Sequence, residues 1–102
     1  MSSSAAQTVM KDLVGCEGGS ITLPDPVGQL GFLSYGKHTI AEVDEMKFKI
    51  VEKQFNDRLF WNDKTQLFEI RGLKRKDSGT YYIDSKKGDV FFISYKLTVN
   101  GK

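Results

Sequence analysis

Apolar and polar residues alternate along this chain in stretches of roughly five to eight, the pattern of half-buried β-strands. The stretches fall at 8–14, 20–23, 30–35, 39–43, 47–51, 58–61, 66–70, 81–85 and 90–100, and Gly, Pro, Asn and Asp interrupt them. Helical periodicity is nearly absent, so the chain reads as all-β. Pro24-Asp25-Pro26 stops the second stretch, because neither proline can donate to a ladder. Asn62-Asp63-Lys64-Thr65 and Lys86-Lys87-Gly88-Asp89 read as hairpin turns. Alternation assigns Ile21, Leu23, Phe48, Ile50, Leu59, Trp61, Phe68, Ile70 and Leu73 to the interior, with Ile93, Tyr95, Leu97 and Val99 on one face of the last strand. In 30–35, Phe32 is assigned inward, which turns Leu33 and Tyr35 outward.

One segment carries more information than this periodicity. Asp77-Ser78-Gly79-Thr80-Tyr81-Tyr82-Ile83 has the spacing D-x-G-x-Y-x-(C), with Ile83 in the place of the cysteine. Asp77 can accept backbone and arginine hydrogen bonds at a turn. Gly79 permits a tight backbone, and Tyr81 is two residues before the core position, where its hydroxyl can bond back to the main chain as a tyrosine corner. This spacing resembles the start of strand F in an immunoglobulin-like β-sandwich. In variable-type sandwiches an Arg and an Asp meet across the bottom of the domain, and Arg58 opens the stretch expected to supply that arginine.

Composition adds limits. The chain has 102 residues, enough for one core, and we expect a polar leader over 1–7 followed by a single domain over 8–102. The net charge of +2 gives no global field for nucleic acid or membrane. No apolar run approaches the ~18 residues of a membrane span. With one cysteine, Cys16, no internal disulfide can form, so packing alone must hold the sandwich together. His38 has no second histidine or cysteine at metal-ligand spacing, and no glycine-rich phosphate loop or nucleophile–base pair is present. No enzyme, no cofactor and no small-molecule substrate are expected. The basic residues Arg71, Lys74, Arg75 and Lys76 lack the interleaved aromatics of a nucleic-acid site.

The outer face of the larger sheet is where function is expected. Leu33, Tyr35, Tyr82 and Phe92 are assigned to it as an apolar centre, with Glu42, Asp84, Ser94 and Lys96 around them. Aromatics supply contact area and a charged rim supplies register, so the composition suits protein binding. Arg58, Asp77, Gly79, Tyr81 and Ile83 are assigned structural roles.

Glu17-Gly18-Gly19-Ser20-Ile21-Thr22-Leu23, Gln29-Leu30-Gly31-Phe32, Asp57-Arg58-Leu59, Thr65-Gln66-Leu67-Phe68-Glu69-Ile70 and Asp77-Ser78-Gly79-Thr80-Tyr81 carry a closer likeness. With these the chain resembles the N-terminal variable-type domain of the SLAM family of lymphocyte adhesion and signalling receptors, whose first domains commonly lack the inter-sheet disulfide. The resemblance implies an immune-receptor ectodomain on the extracellular side of the plasma membrane. It implies binding to an Ig-like domain of the same or a related receptor through the face lettered G-F-C-C′, with a disulfide-bonded second domain and a membrane anchor outside this sequence. It also places Asp25 where the first cysteine of the sandwich stands. A buried unpaired carboxylate is costly, so Asp25 is expected to be exposed. An intracellular structural Ig domain of the muscle-filament type is the alternative. It too lacks disulfides, but it is shorter between Phe32 and Arg58, where this chain has room for two extra strands.

Overall fold

The strands close into two sheets through the alternation described above. The computed structural model describes residues 9–88 and 90–101; the leader expected over 1–7 and Asp89 of the last turn lie outside them. Nine strands follow in order: β1 (Val9–Cys16), β2 (Ser20–Thr22), β3 (Leu30–Tyr35), β4 (His38–Asp44), β5 (Lys47–Ile50), β6 (Leu59–Trp61), β7 (Phe68–Arg71), β8 (Gly79–Lys87) and β9 (Phe91–Asn100). The front sheet has the order β1-β9-β8-β3-β4-β5 and the back sheet β2-β7-β6. Every pairing is antiparallel except β1 with β9, which run parallel from Val9↔Ile93 to Cys16↔Asn100. Both strands expected between Phe32 and Arg58 are formed, as β4 and β5. This is an immunoglobulin-like sandwich of the variable type.

The inner faces interlock around Leu23, Leu33, Ile40, Phe68, Ile70, Tyr81, Ile83, Tyr95 and Leu97, all buried. Leu33 corrects the expected orientation of β3: it is fully buried and is the register partner of Ile83, at the centre of the core. Phe32 therefore points out. A slip of one residue exchanges the two faces of a strand, and β3 carries apolar residues at both parities. The serine at position 34 was the available signal, since it marks the even face as the solvent side. Trp61 packs against the core and stacks near Phe48, with ring centroids 6.5 Å apart, across the gap between the β5 and β6 edges.

Two polar ties supplement the packing of a sandwich whose single cysteine cannot form an internal disulfide. At the bottom, Arg58 donates from Nη1 and Nη2 to the two oxygens of Asp77 at 2.8 and 3.0 Å. The Lys74 N–H donates to the same carboxylate at 2.8 Å, and the Tyr81 hydroxyl donates to the Asp77 carbonyl at 2.7 Å. Asp77 is 3% exposed. Gly79 just beyond it has φ +148°, and a Cβ there would lie 2.7 Å from the Tyr35 ring, so the position requires glycine. At the other tie, Asp25 accepts from Lys11 Nζ at 2.9 Å and from the Tyr95 hydroxyl at 2.7 Å. Asp25 is thus half-buried rather than exposed, and its burial is compensated by two partners.

Both carboxylates are held ionised. Burial pushes Asp77 up, but the Arg58 hydrogen bonds and charge and the Lys74 N–H outweigh it, and the net shift is downward. Asp25 behaves alike, with Lys11 and Tyr95 outweighing its desolvation. Burial, then the bond to Asp25, pushes the Tyr95 hydroxyl far up, so it stays a donor.

Removing one partner of the bottom tie leaves the other buried and uncompensated. Arg58→Ala is expected to cost about 3–5 kcal/mol in urea unfolding. A loss below about 1 kcal/mol, the level of an exposed pair, would show that the tie is solvated in solution. Because both carboxylates have folded pKa values below their unfolded ones, their contribution is complete above about pH 4–5 and is lost as pH falls through the folded values. Urea midpoints measured from pH 7 to 2 are expected to fall on the acid side, less steeply in Asp77→Asn. An identical acid limb in that variant would assign the acid sensitivity elsewhere.

Candidate protein-binding face

The outer face of the front sheet is built from the residues that alternate away from the core. Glu42 (β4), Phe32 (β3), Asp84 (β8) and Phe92 (β9) are successive register partners, so they form one row across four strands. Carboxylate and aromatic ring alternate along it. Beside this row run Ser34, Tyr82 and Ser94. Tyr82 and Phe92 stack with centroids 5.5 Å apart and planes 23° apart. Phe92 is 47% exposed and, with Tyr82 and Phe32, forms a contiguous apolar site instead of a single exposed side chain.

These side chains surround a shallow depression of ≈ 320 Å³, lined by Phe32, Tyr82, Asp84 and Phe92 with Ser34 and Thr39. Gly36 and Lys37, in the turn between β3 and β4, also line it. Asp84 pairs with Lys86 at 3.2 Å, and Lys96 is exposed further along β9.

Of the residues assigned to the face from sequence, the structure brings Glu42, Tyr82, Asp84, Phe92 and Lys96 to one side of the sheet. Three differ. Leu33 is in the core, as described. Tyr35 shares its parity and turns inward: it stacks on Tyr81 at 4.6 Å, and its hydroxyl donates to the carbonyls of Ser78 (2.7 Å) and Lys76 (3.0 Å). It supports the bottom turn. Ser94 lies on the outer face but is 1% exposed, because its short side chain sits between Met10 and Tyr82 in the register. Phe32 is the residue that sequence reasoning missed.

A second depression of ≈ 460 Å³ lies on the back sheet, where Phe60, Glu69 and Arg71 stand together with Thr22. Its charges are satisfied internally: the Arg71 guanidinium sits 4.0 Å from the Phe60 ring centre and 3.1 Å from Glu69 Oε1. Among the described residues, no cluster of His, Cys, Asp and Glu is arranged to hold a metal ion. Cys16 is exposed at the end of β1.

No protein-family model matches the chain, and no curated protein matches it. Solved structures do. The first Ig-like domain of human CD48 superposes with a TM-score of 0.77 at 22% identity, covering 99% of this chain and 90% of that one. CD84, described in terms of SLAM family function, gives 0.78 at 18% identity and covers 91% of this chain and 99% of that one. The CD2-binding domain of CD58 gives 0.73 at 19% identity over 88% of this chain. That match covers 53% of the CD58 chain, so this chain spans about half its length. Identities this low establish fold alone. Sheet order, the tyrosine corner, the Arg58–Asp77 tie and these structural neighbours together make the chain an immunoglobulin-like variable-type β-sandwich.

Proposed function

We propose that this chain is the extracellular recognition module of a SLAM-type immune receptor, and that it binds an Ig-like domain of the same or a related receptor through the outer face of β9-β8-β3-β4. The observation that carries the reading is the stacked pair Tyr82 and Phe92 beside Phe32, left open on a sheet whose other face is closed into the core. Rigid aromatics on regular strands supply apolar area at little cost in conformational entropy, and the surrounding Glu42, Asp84, Lys86 and Lys96 supply orientation. The domain of CD58 with this fold binds CD2, which favours a protein as the ligand. A function at the cell surface follows from the same reading, with adhesion as its physical outcome and no catalysis.

Fluorescent multimers of the domain, applied to cells that each display one Ig-like receptor, including this one, test the reading. Phe92→Ala and Tyr82→Ala are expected to reduce staining at least about tenfold, the effect of losing a central aromatic, while the folded domain is retained by circular dichroism. Phe60→Ala on the back sheet is expected to stain as wild type. The reverse result, loss with Phe60→Ala and retention with both front-sheet variants, would move recognition to the other sheet. Sedimentation velocity from about 1 µM to 1 mM, the range of weak contacts, separates pairing of like domains from crosslinking through Cys16 when it is run with and without reductant.

A further inference from the structure

The front-sheet row places carboxylates among its rings, and this decides what it can accept. Glu42 and Asp84 flank Phe32 in the register, and Phe92 follows Asp84. A purely apolar partner laid over this row would bury Asp84 and strip water from its half-exposed pair with Lys86, which is unfavourable. A cation compensates the carboxylate and is attracted to the faces of the neighbouring rings.

The back sheet of the same molecule shows this arrangement with its cation in place. Phe60 and Glu69 are direct register partners on β6 and β7, and Arg71 lies between them, 4.0 Å from the ring centre and 3.1 Å from the carboxylate. Phe92 and Asp84 are likewise direct register partners, on β9 and β8. Among the described residues, the cations over rings are Arg58 over Phe55 and Arg71 over Phe60; the rings of Phe32, Tyr82 and Phe92 have none. Asp84 has Lys86, which lies on the same strand and keeps 53% of its side chain in solvent. An exposed pair of this kind contributes little. The Arg71–Glu69 pair is equally exposed, at 57% for its cation, so what separates the sheets is the ring, covered by Arg71 at Phe60 and uncovered at Phe92.

Resting on the reading that this face binds protein, we propose that the depression receives an arginine side chain from a partner that is not a second copy of this chain. Guanidinium fits better than ammonium, because a planar group stacks on a ring while forking to a carboxylate. The exclusion of a second copy follows from where this chain keeps its own arginines. They number three in the sequence: Arg58, Arg71 and Arg75. Arg58 is bound to Asp77, Arg71 lies over Phe60 on the back sheet, and Arg75, 72% exposed, lies in the turn before β8 near Glu17, so none stands on the face that a front-to-front pair of copies would bring to the depression. The front face itself offers lysines only.

The test is titration of the ¹⁵N-labelled domain with Nα-acetyl-arginine methylamide, followed by amide shifts. Saturating shifts are expected at Phe32, Tyr82, Asp84 and Phe92, with a dissociation constant on the order of millimolar for one cation–π contact and one ion pair. The neutral citrulline analogue and the lysine analogue are expected to bind at least several-fold more weakly. Asp84→Asn, whose folding the same spectra report, is expected to weaken arginine binding about tenfold, the worth of one charge-assisted hydrogen bond. Absence of saturating shifts at these residues, equal binding of either analogue, or no change in Asp84→Asn would overturn the assignment. So would a reversible dimer of the reduced domain that Phe92→Ala abolishes. Loss of receptor staining in Phe92→Ala alongside any of these failures keeps the protein-binding reading and removes only the arginine. Arginine binding with receptor staining unchanged in Phe92→Ala overturns the reading on which the proposal rests.

Discussion

Arg58 and Asp77 hold the two sheets together at a point where neither has a covalent tie. Arg58 immediately precedes the back-sheet strand β6, and Asp77 precedes the front-sheet strand β8, so their bidentate contact joins the layers. The tie is ordered from both sides. Asp77 also anchors the Lys74 N–H, its carbonyl takes the Tyr81 hydroxyl, and the Arg58 guanidinium lies over Phe55. A disulfide would stabilise mainly by restricting the unfolded chain, in the chain-entropy account. Hydrogen-bonded charges cannot do this: they act only in the folded state and depend on exclusion of water. The contribution of the tie is therefore lost when Asp77 is protonated.

The same core fixes the geometry of the outer face. Leu33 and Ile83, Tyr81 and Tyr35 commit one parity of β3 and β8 to the interior, and the opposite parity must then present Phe32, Tyr82 and Asp84 together. The face needs no loop to assemble it. It stands on hydrogen-bonded strands, with register shifts at Leu30/Gly31 and Leu33/Ser34, so little backbone is left for a partner to order. The two sheets use related side chains and differ at the ring. Each pairs its carboxylate with a half-exposed cation of the same strand, Glu69 with Arg71 and Asp84 with Lys86, but Arg71 also covers Phe60 whereas the front-sheet rings stay open.

Much of this was legible in the chain. Alternation, with Pro24, Pro26 and the Asn62–Thr65 turn as punctuation, determined an all-β fold and nearly every strand. Asp77, Gly79 and Tyr81 determined the bottom turn through local spacing, because a tyrosine corner closes within a few residues. The facing of β8 and β9 was readable as well, since each has apolar residues chiefly at one parity. What only the tertiary structure decided depended on neighbours remote in sequence. The orientation of β3 was ambiguous because Leu30 and Phe32 balance Leu33 and Tyr35, and pairing with Ile83 settled it. Asp25 gave no local sign of partners, since Lys11 and Tyr95 reach it from strands 14 and 70 residues away in sequence. Ser94 looked accessible until its longer cross-strand neighbours enclosed it. Periodicity determines which residues share a face; only packing against the other sheet determines which face is inside.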